Sequence, residues 1–293
     1  MNKNIKLILG ICMILSILIA GCSKEETLEE KAPIDYLAGN KDPKTDLDKL
    51  IDTIANTYGV RVMYQFDPRV IDPTTFYTPT TYDRALFYTK HVVRTLWLEP
   101  LTKNFPVFIQ NQKPVEFLIV GSAIKFNSIS SGGAAGAGLN AQFYRLGMGA
   151  VDTYGNNPTK ATLRSHICTL YHEHAHQMDA KFGRSYAFDR VSQGLYYQLN
   201  YQTKPDGRPR TDTDAQKDGF FNAYAGFAPE EDFATAVEYM IKYSKADILK
   251  FVALNPKLET KYKMVYQFYL DKGVDLHKMH EVLNEVANAL PLR

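Results

Sequence analysis

A chain of 293 residues with 45% hydrophobic and 12% aromatic content has enough apolar material for a packed core, which excludes a disordered chain. Its 34 basic and 32 acidic residues give a formal charge of +2, and without Lys3 and Lys6, which lie in a leader-like segment, the balance is 32 against 32. That neutrality gives no case for nucleic acid as a partner.

Residues 1–21 read as a signal peptide rather than structure: Lys3 and Lys6 form its charged part and Leu7 to Ile19 its apolar part, too short to span a bilayer comfortably. The run ends in Ile19-Ala20-Gly21-Cys22, which resembles the bacterial lipobox. The resemblance implies cleavage before Cys22 and lipid, such as palmitate, on that residue, so that the membrane is met through a lipid anchor. Ser23, rather than Asp, after the cysteine favours the outer membrane. Ser23-Lys24-Glu25-Glu26 resembles the short signal that sends some lipoproteins to the cell surface. Cys12 leaves with the leader, so Cys168 has no disulfide partner and is expected to be a small core residue. Residues 22–44 are polar, with Pro33 and Pro43, and read as a flexible tether to one domain over 45–293.

Within that domain, Thr45 caps an expected helix over 46–58 that Gly59 ends. Val60, Val62, Tyr64 and Phe66 alternate as a strand, and the prolines of 67–80 mark a loop. A second helix is expected over 82–98, closed by Pro100, and a buried strand over 117–120, with room to extend to Phe126. The Gly-rich run 130–138 lacks Gly-Lys-Ser/Thr, so it reads as a mobile loop rather than a phosphate cradle. Residues 141–151 read as an edge strand along a cleft, where a substrate backbone could pair. Asn157-Pro158-Thr159 starts a helix that Gly183 stops. Beyond a helix or loop-helix over 185–201, residues 202–219 read as a solvated loop. Its Asp212, Asp214 and Asp218 invite a calcium reading, but Gln216 and Lys217 stand where a calcium loop would want an acidic ligand and Gly. Four helices follow, over 230–243, 246–254, 257–272 and 275–290, the last with His277 and His280 expected at the surface.

The chemistry concentrates in the helix over 159–182. His172-Glu173-His174-Ala175-His176 has the pattern H-E-x-x-H, and residues four apart share one helical face. Two imidazoles so placed reach one metal ion, and Glu173 lies beside them, where it can take a proton from water. His174 and His166 fall off that face. Catalytic zinc takes three protein ligands and one open position. The metzincin pattern would need Gly at 179 and His at 182, where Asp179 and Phe182 stand. A carboxylate on a later helix is the alternative, framed best in Glu231-Asp232-Phe233-Ala234, with Glu230 beside it.

H-E-x-x-H followed by E-x-F-A, with Tyr224 seven residues before Glu231, resembles the gluzincins related to anthrax lethal factor. Together with the lipobox, the pattern is more similar still to the substrate import-associated zinc metallohydrolase lipoproteins. The resemblance implies an α+β, zincin-like metallopeptidase domain: a small mixed sheet, an active-site helix and a helical C-terminal part. It implies Zn2+ on His172, His176 and Glu231, Glu173 as general base, and Tyr224 as donor to the oxyanion or leaving amine. A peptide or glycopeptide substrate would follow, with a TonB-dependent importer and its binding lipoprotein as partners. A non-catalytic zinc-binding accessory of such an importer is the alternative, and a hydrolase of a non-peptide bond a third. One position departs from the group: Thr235 stands where an acid four residues after the ligand would support the site, leaving Asp179 or Glu238 to support a zinc histidine.

Overall fold

The computed structural model describes residues 44–65, 74–127, 133–134, 136–137, 144–154 and 158–292. The expected signal peptide, Cys22 and nearly all of the tether lie outside them. The described residues belong to the compact unit Lys44–Arg293.

Helix α1, Asp46–Tyr58, opens on a capping box in which Thr45 and Asp48 each satisfy the other's backbone N–H, and Gly59 closes it at φ 69°. Strand β1, Arg61–Met63, follows, and then β2, Thr75–Phe76. Helix α2, Tyr82–Tyr88, runs on without a break as a π-helix, Thr89–Leu98, into α3, Glu99–Asn104. Pro100 therefore does not close the helix. It falls in the first turn of α3, where no backbone N–H is required of it, directly after a stretch whose bonds already run i to i+5. Helix α4, Pro106–Gln112, which sequence periodicity did not separate, leads into β3, Glu116–Ile119.

Among the described residues the strands form two small sheets. In the mixed sheet the order is β1, β3, β7 (Arg145–Met148) and β6 (Gly136–Ala137), the first three parallel and β6 antiparallel to β7. A second, antiparallel sheet runs β2, β4 (Ile124–Phe126), β5 (Gly133–Ala134). Two expectations are corrected here. Strand β7 is not an edge strand: it is buried at every residue, between β3 and β6. Among the described residues the edge is β6, from the Gly-rich run read as a loop. Gly-Ala carries no apolar alternation to announce a strand, yet its backbone can pair like any other. The strand at 117–120 does not extend to Phe126 either. The chain turns at Gly121, where a Cβ would come within 2.6 Å of Asp152 Oδ2 and 2.7 Å of Pro79 O, and enters the other sheet.

Helix α5, Lys160–Phe182, starts at Thr159, whose hydroxyl and backbone exchange bonds with Thr162, and stops at Gly183. It buries Leu163, Ile167, Leu170, Ala175 and Met178 together with His172, His174, Gln177 and Asp179, so it is a central helix, enclosed on more than one face. Helix α6 covers Tyr186–Val191. Helix α7, Asp212–Asp218, occupies part of the expected polar loop, nucleated by a Thr211–Asp214 capping box. Helices α8 (Pro229–Lys242), α9 (Lys245–Val252), α10 (Pro256–Leu270) and α11 (Leu276–Ala289) complete the chain. Helix α8 packs along α5, with α10 and α11 behind it. The chain thus has the expected α+β class, a small mixed sheet ahead of a central helix and a helical C-terminal part. His277 and His280 are buried rather than on the surface. His277 bonds the Tyr262 hydroxyl at 2.9 Å, and His280 Nδ1 donates to Ile241 O at 2.8 Å, so their shared face is the packed one.

Candidate metal centre

Helix α5 presents His172 and His176 on one face, and the N-terminal turn of α8 brings Glu231 to meet them. His172 Nε2 lies 3.2 Å from His176 Nε2 and 3.1 Å from Glu231 Oε2, and His176 Nε2 lies 3.3 Å from the same oxygen. A tetrahedral ion with bonds of about 2.0–2.1 Å to such ligands holds them roughly 3.3 Å apart. The three separations match the edges of one tetrahedral face, so the donor set fits a zinc ion with its fourth corner open. Among the described residues, these three form the one group of three or more His, Cys, Asp or Glu able to share a metal. Glu230, the neighbouring carboxylate, is half exposed and 3.6 Å from Arg184. Glu231, the carboxylate expected from sequence, is the one whose oxygen faces both imidazoles.

Electrostatics agree with the geometry. Burial disfavours charge on His172, but the Glu231 and Glu238 carboxylates outweigh it and raise its pKa to about 10. Glu231 is correspondingly lowered to about 2, by its bonds to the two histidines against the cost of burial.

Glu238 lies seven residues, or about 10.5 Å, along the same face of α8 from Glu231. Its Oε2 is 3.2 Å from His172 Nδ1, so one imidazole is bracketed by two carboxylates of a single helix. The contact is close but off the line of the N–H bond. Thr235, between them, is fully buried. Asp179, the other candidate support, is engaged elsewhere: it accepts the Arg184 backbone N–H at 2.7 Å and pairs with the Arg184 guanidinium, which also binds Asp189.

Glu173 is partly buried beside the triad. Burial raises its carboxyl pKa above the ordinary range, against the lowering by His172 and His176. Tyr224 stands at the start of the 3-10 turn Tyr224–Gly226, with its ring centroid 6.0 Å from that of His172. It is 40% exposed, and its hydroxyl bonds Glu231, while burial and that carboxylate raise its pKa. Residues named from sequence as metal ligands, base and donor are thus brought together. His174 is a core histidine bonded to Gln112 O at 2.7 Å and packed against Trp97 and Phe108. His166 is half-buried against Tyr88, and desolvation lowers its pKa to about 4. Burial pushes the Cys168 thiol up to about 12, as suits an inert core residue.

Sequence reasoning missed a buried ion pair adjoining the ligand. Asp232 and Lys261 are both fully buried, 2.5 Å apart, and the Tyr196 hydroxyl donates to Asp232 at 3.0 Å. Lys261 also donates to Gly219 O at 2.8 Å. The pair joins α8 to α10 and to the segment leading into Tyr224. Nothing in the spacing of Asp232 and Lys261 signals it, since the partners come together only through packing.

Residues 40–276 match a family described as "Putative zinc-binding metallo-peptidase". The fold is similar to that in the crystal structure of a Bacteroides caccae ATCC 43185 protein given the same description, with a TM-score of 0.58 and 18% identity. That likeness covers 84% of this chain and 95% of the other. No curated protein matches the chain.

Proposed function

The chain belongs to that family of zinc-binding metallo-peptidases, its cofactor is Zn2+, and from this premise we propose that it is a gluzincin-type peptidase whose ion is held by His172, His176 and Glu231. The observation that carries the reading is the 3.1–3.3 Å triangle of donor atoms, closed by a carboxylate from a second helix. Zinc, when bound there, supplies Lewis acidity that polarises a carbonyl and acidifies water. Glu173 takes the proton from the attacking water and later delivers it to the leaving amine, a role that its raised pKa favours. Tyr224, raised and therefore protonated, donates its O–H to the oxyanion that develops on the carbonyl. Glu238 orients His172, and the antiparallel edge strand β6 offers backbone groups to an extended substrate.

The leader and Cys22 support a lipid-anchored protein of the outer membrane, exposed at the cell surface. There it would cleave a peptide or glycopeptide for a TonB-dependent importer and its binding lipoprotein. Labelling with radioactive palmitate, lost in Cys22→Ala, tests the anchor.

Zinc quantification combined with a peptide-library digestion tests the activity. One ion per chain is expected, with cleavage by the wild type and none by a zinc-loaded Glu173→Ala variant. Full activity in that variant would refute the role of Glu173. Bound zinc without cleavage of any library would favour a non-catalytic accessory of the importer.

A further inference from the structure

Beside the triad stands a set of side chains of which the mechanism uses only Tyr224. Between α6 and α7 the chain forms an irregular lobe, residues 192–211. At its outer end a Thr203–Pro209 bridge closes it, helped by Lys204 N–H to Arg208 O at 2.8 Å and Arg210 N–H to Gln202 O at 2.8 Å. At its base Tyr197 is the anchor. Its N–H donates to Gly226 O at 2.6 Å, its hydroxyl donates to Asp218 at 2.6 Å, and the Arg210 guanidinium lies 3.5 Å from its ring centroid. The ring sits so close to Gly226 that a Cβ there would be 2.3 Å from two ring carbons. The lobe is therefore fixed to the turn that carries Tyr224.

What it holds there is aromatic. Tyr224 and Phe227 are within 18° of parallel, with centroids 6.3 Å apart, and Tyr201 of the lobe stands edge-on to both, at 5.4 Å and 5.7 Å. This surface begins at the metal ligand His172, against which Tyr224 lies. Neither Tyr201 nor Phe227 is fully buried. Two residues before Tyr201, Leu199 is 86% exposed, on a turn whose first residue, Gln198, has a φ of 50°. A left-handed non-glycine residue supporting a solvated leucine is a costly local arrangement, of the kind that clusters where ligands are gripped. The Tyr201 hydroxyl already accepts from Gln202 at 2.9 Å, so rings and aliphatic carbon dominate what the wall offers.

We propose that residues 199–201, with Tyr224 and Phe227, form a specificity wall beside the triad. The wall selects peptides that carry a large apolar side chain, aromatic above all, next to the scissile bond. Such a ring would pack edge-on or offset against the three rings and be covered by Leu199. Because Tyr197 and Gly226 hold the wall in place beforehand, little ordering is required when substrate arrives. This inference rests on the peptidase reading above and deepens it.

The test separates the two. In the zinc-loaded full chain, the affinities of acetohydroxamate and of 3-phenylpropanohydroxamate are measured by calorimetry. Both share the chelating group and differ in the phenyl arm. The phenyl probe is expected to bind at least about tenfold tighter, the effect of one well-buried ring contact. Tyr201→Ala and Leu199→Ser, separately and together, should cut that ratio to below about threefold while leaving zinc and acetohydroxamate affinity unchanged. Leu199→Ser changes an exposed residue and keeps the test independent of folding. Equal affinity of the two probes in the wild type, or a ratio that both variants preserve, overturns the wall. Preference for a sugar-bearing hydroxamate over the phenyl one overturns it in favour of a glycan. Failure to bind zinc or acetohydroxamate at all is a different result, which removes the peptidase reading itself.

Discussion

Replacing Glu238 tests whether α8 tunes the proposed metal centre as well as contributing Glu231 to it. Its carboxylate lies 3.2 Å from His172 Nδ1, while Glu231 meets Nε2 of the same ring at 3.1 Å. Though off the N–H line, a carboxylate this close favours the proton on Nδ1 by its charge, which leaves Nε2 free for the ion and makes that nitrogen a stronger donor. Removing such a partner costs about 10–100-fold in metal affinity, or roughly 1.4–2.7 kcal/mol. Glu238→Gln keeps an oxygen that can accept from Nδ1 but loses the charge, so it belongs near the tenfold end. Glu238→Leu loses both and belongs near the hundredfold end. Titration against a chromophoric chelator reads the zinc Kd directly, and the spectrum of the cobalt-substituted protein reports whether the ligand set is intact. If both variants hold zinc within twofold of the wild type, Glu238 is a bystander and the bracketing of His172 has no function.

Three further outcomes follow from the same geometry. Lys261→Met strands Asp232 in a site where burial has already raised its pKa to about 6. Removing one partner of a buried pair costs about 3–5 kcal/mol, so Tm should fall by about 6–20 °C; Lys261→Met with Asp232→Leu should recover most of it, and equal Tm values for the two variants by calorimetry would argue against a buried pair. Zinc uptake at pH 7 should release about one proton, because His172, raised to about 10 in the metal-free chain, is charged there and must lose its proton to bind; calorimetry in buffers of different ionisation enthalpy measures it, and zero release would contradict that protonation. Gly226→Ala pushes a methyl into the Tyr197 ring and should cost about 1–3 kcal/mol; limited proteolysis should then cut within 192–211 before the wild type is touched, and unchanged resistance would mean that Tyr197 does not anchor the lobe.

The parts of the site that sequence made legible are those set by local geometry. His172, Glu173 and His176 lie within five residues of one helix, and helical periodicity alone places them on a common face. Capping residues marked the ends of α1 and α5 for the same reason: Thr45, Thr159 and Gly183 act within a turn of themselves. Glu231 lies 55 residues beyond His176, and only the framing of E-x-F-A by a resemblance singled it out from Glu230. The illegible parts depend on packing between elements. Strand β6 is only Gly136–Ala137, too short to show an apolar alternation. The π-helix after Tyr88 breaks no hydrophobic pattern that an α-helix would keep. His277 and His280 read as surface residues because nothing in α11 shows which face meets Ile241 and Tyr262.

Helix α8 explains why these long-range contacts converge. Glu231 and Glu238 share one face, almost in line after seven residues, and both reach His172. Asp232, about 100° around from Glu231, points instead to Lys261 on α10 and Tyr196 of the lobe. The helix that carries Glu231 is thereby tied, one residue later, to the lobe of the proposed aromatic wall. A buried ion pair is a poor source of stability, since desolvation cancels much of its attraction, and a hydrophobic pair of the same volume would hold the fold as well. What an apolar pair would not supply is direction: Asp232 accepts from Lys261 and Tyr196 at fixed geometry, which sets the rotation of α8 and with it the aim of Glu231. On this argument Lys261→Met with Asp232→Leu should regain thermal stability yet bind zinc more weakly than the wild type. A double variant that recovers both would reduce the pair to packing alone.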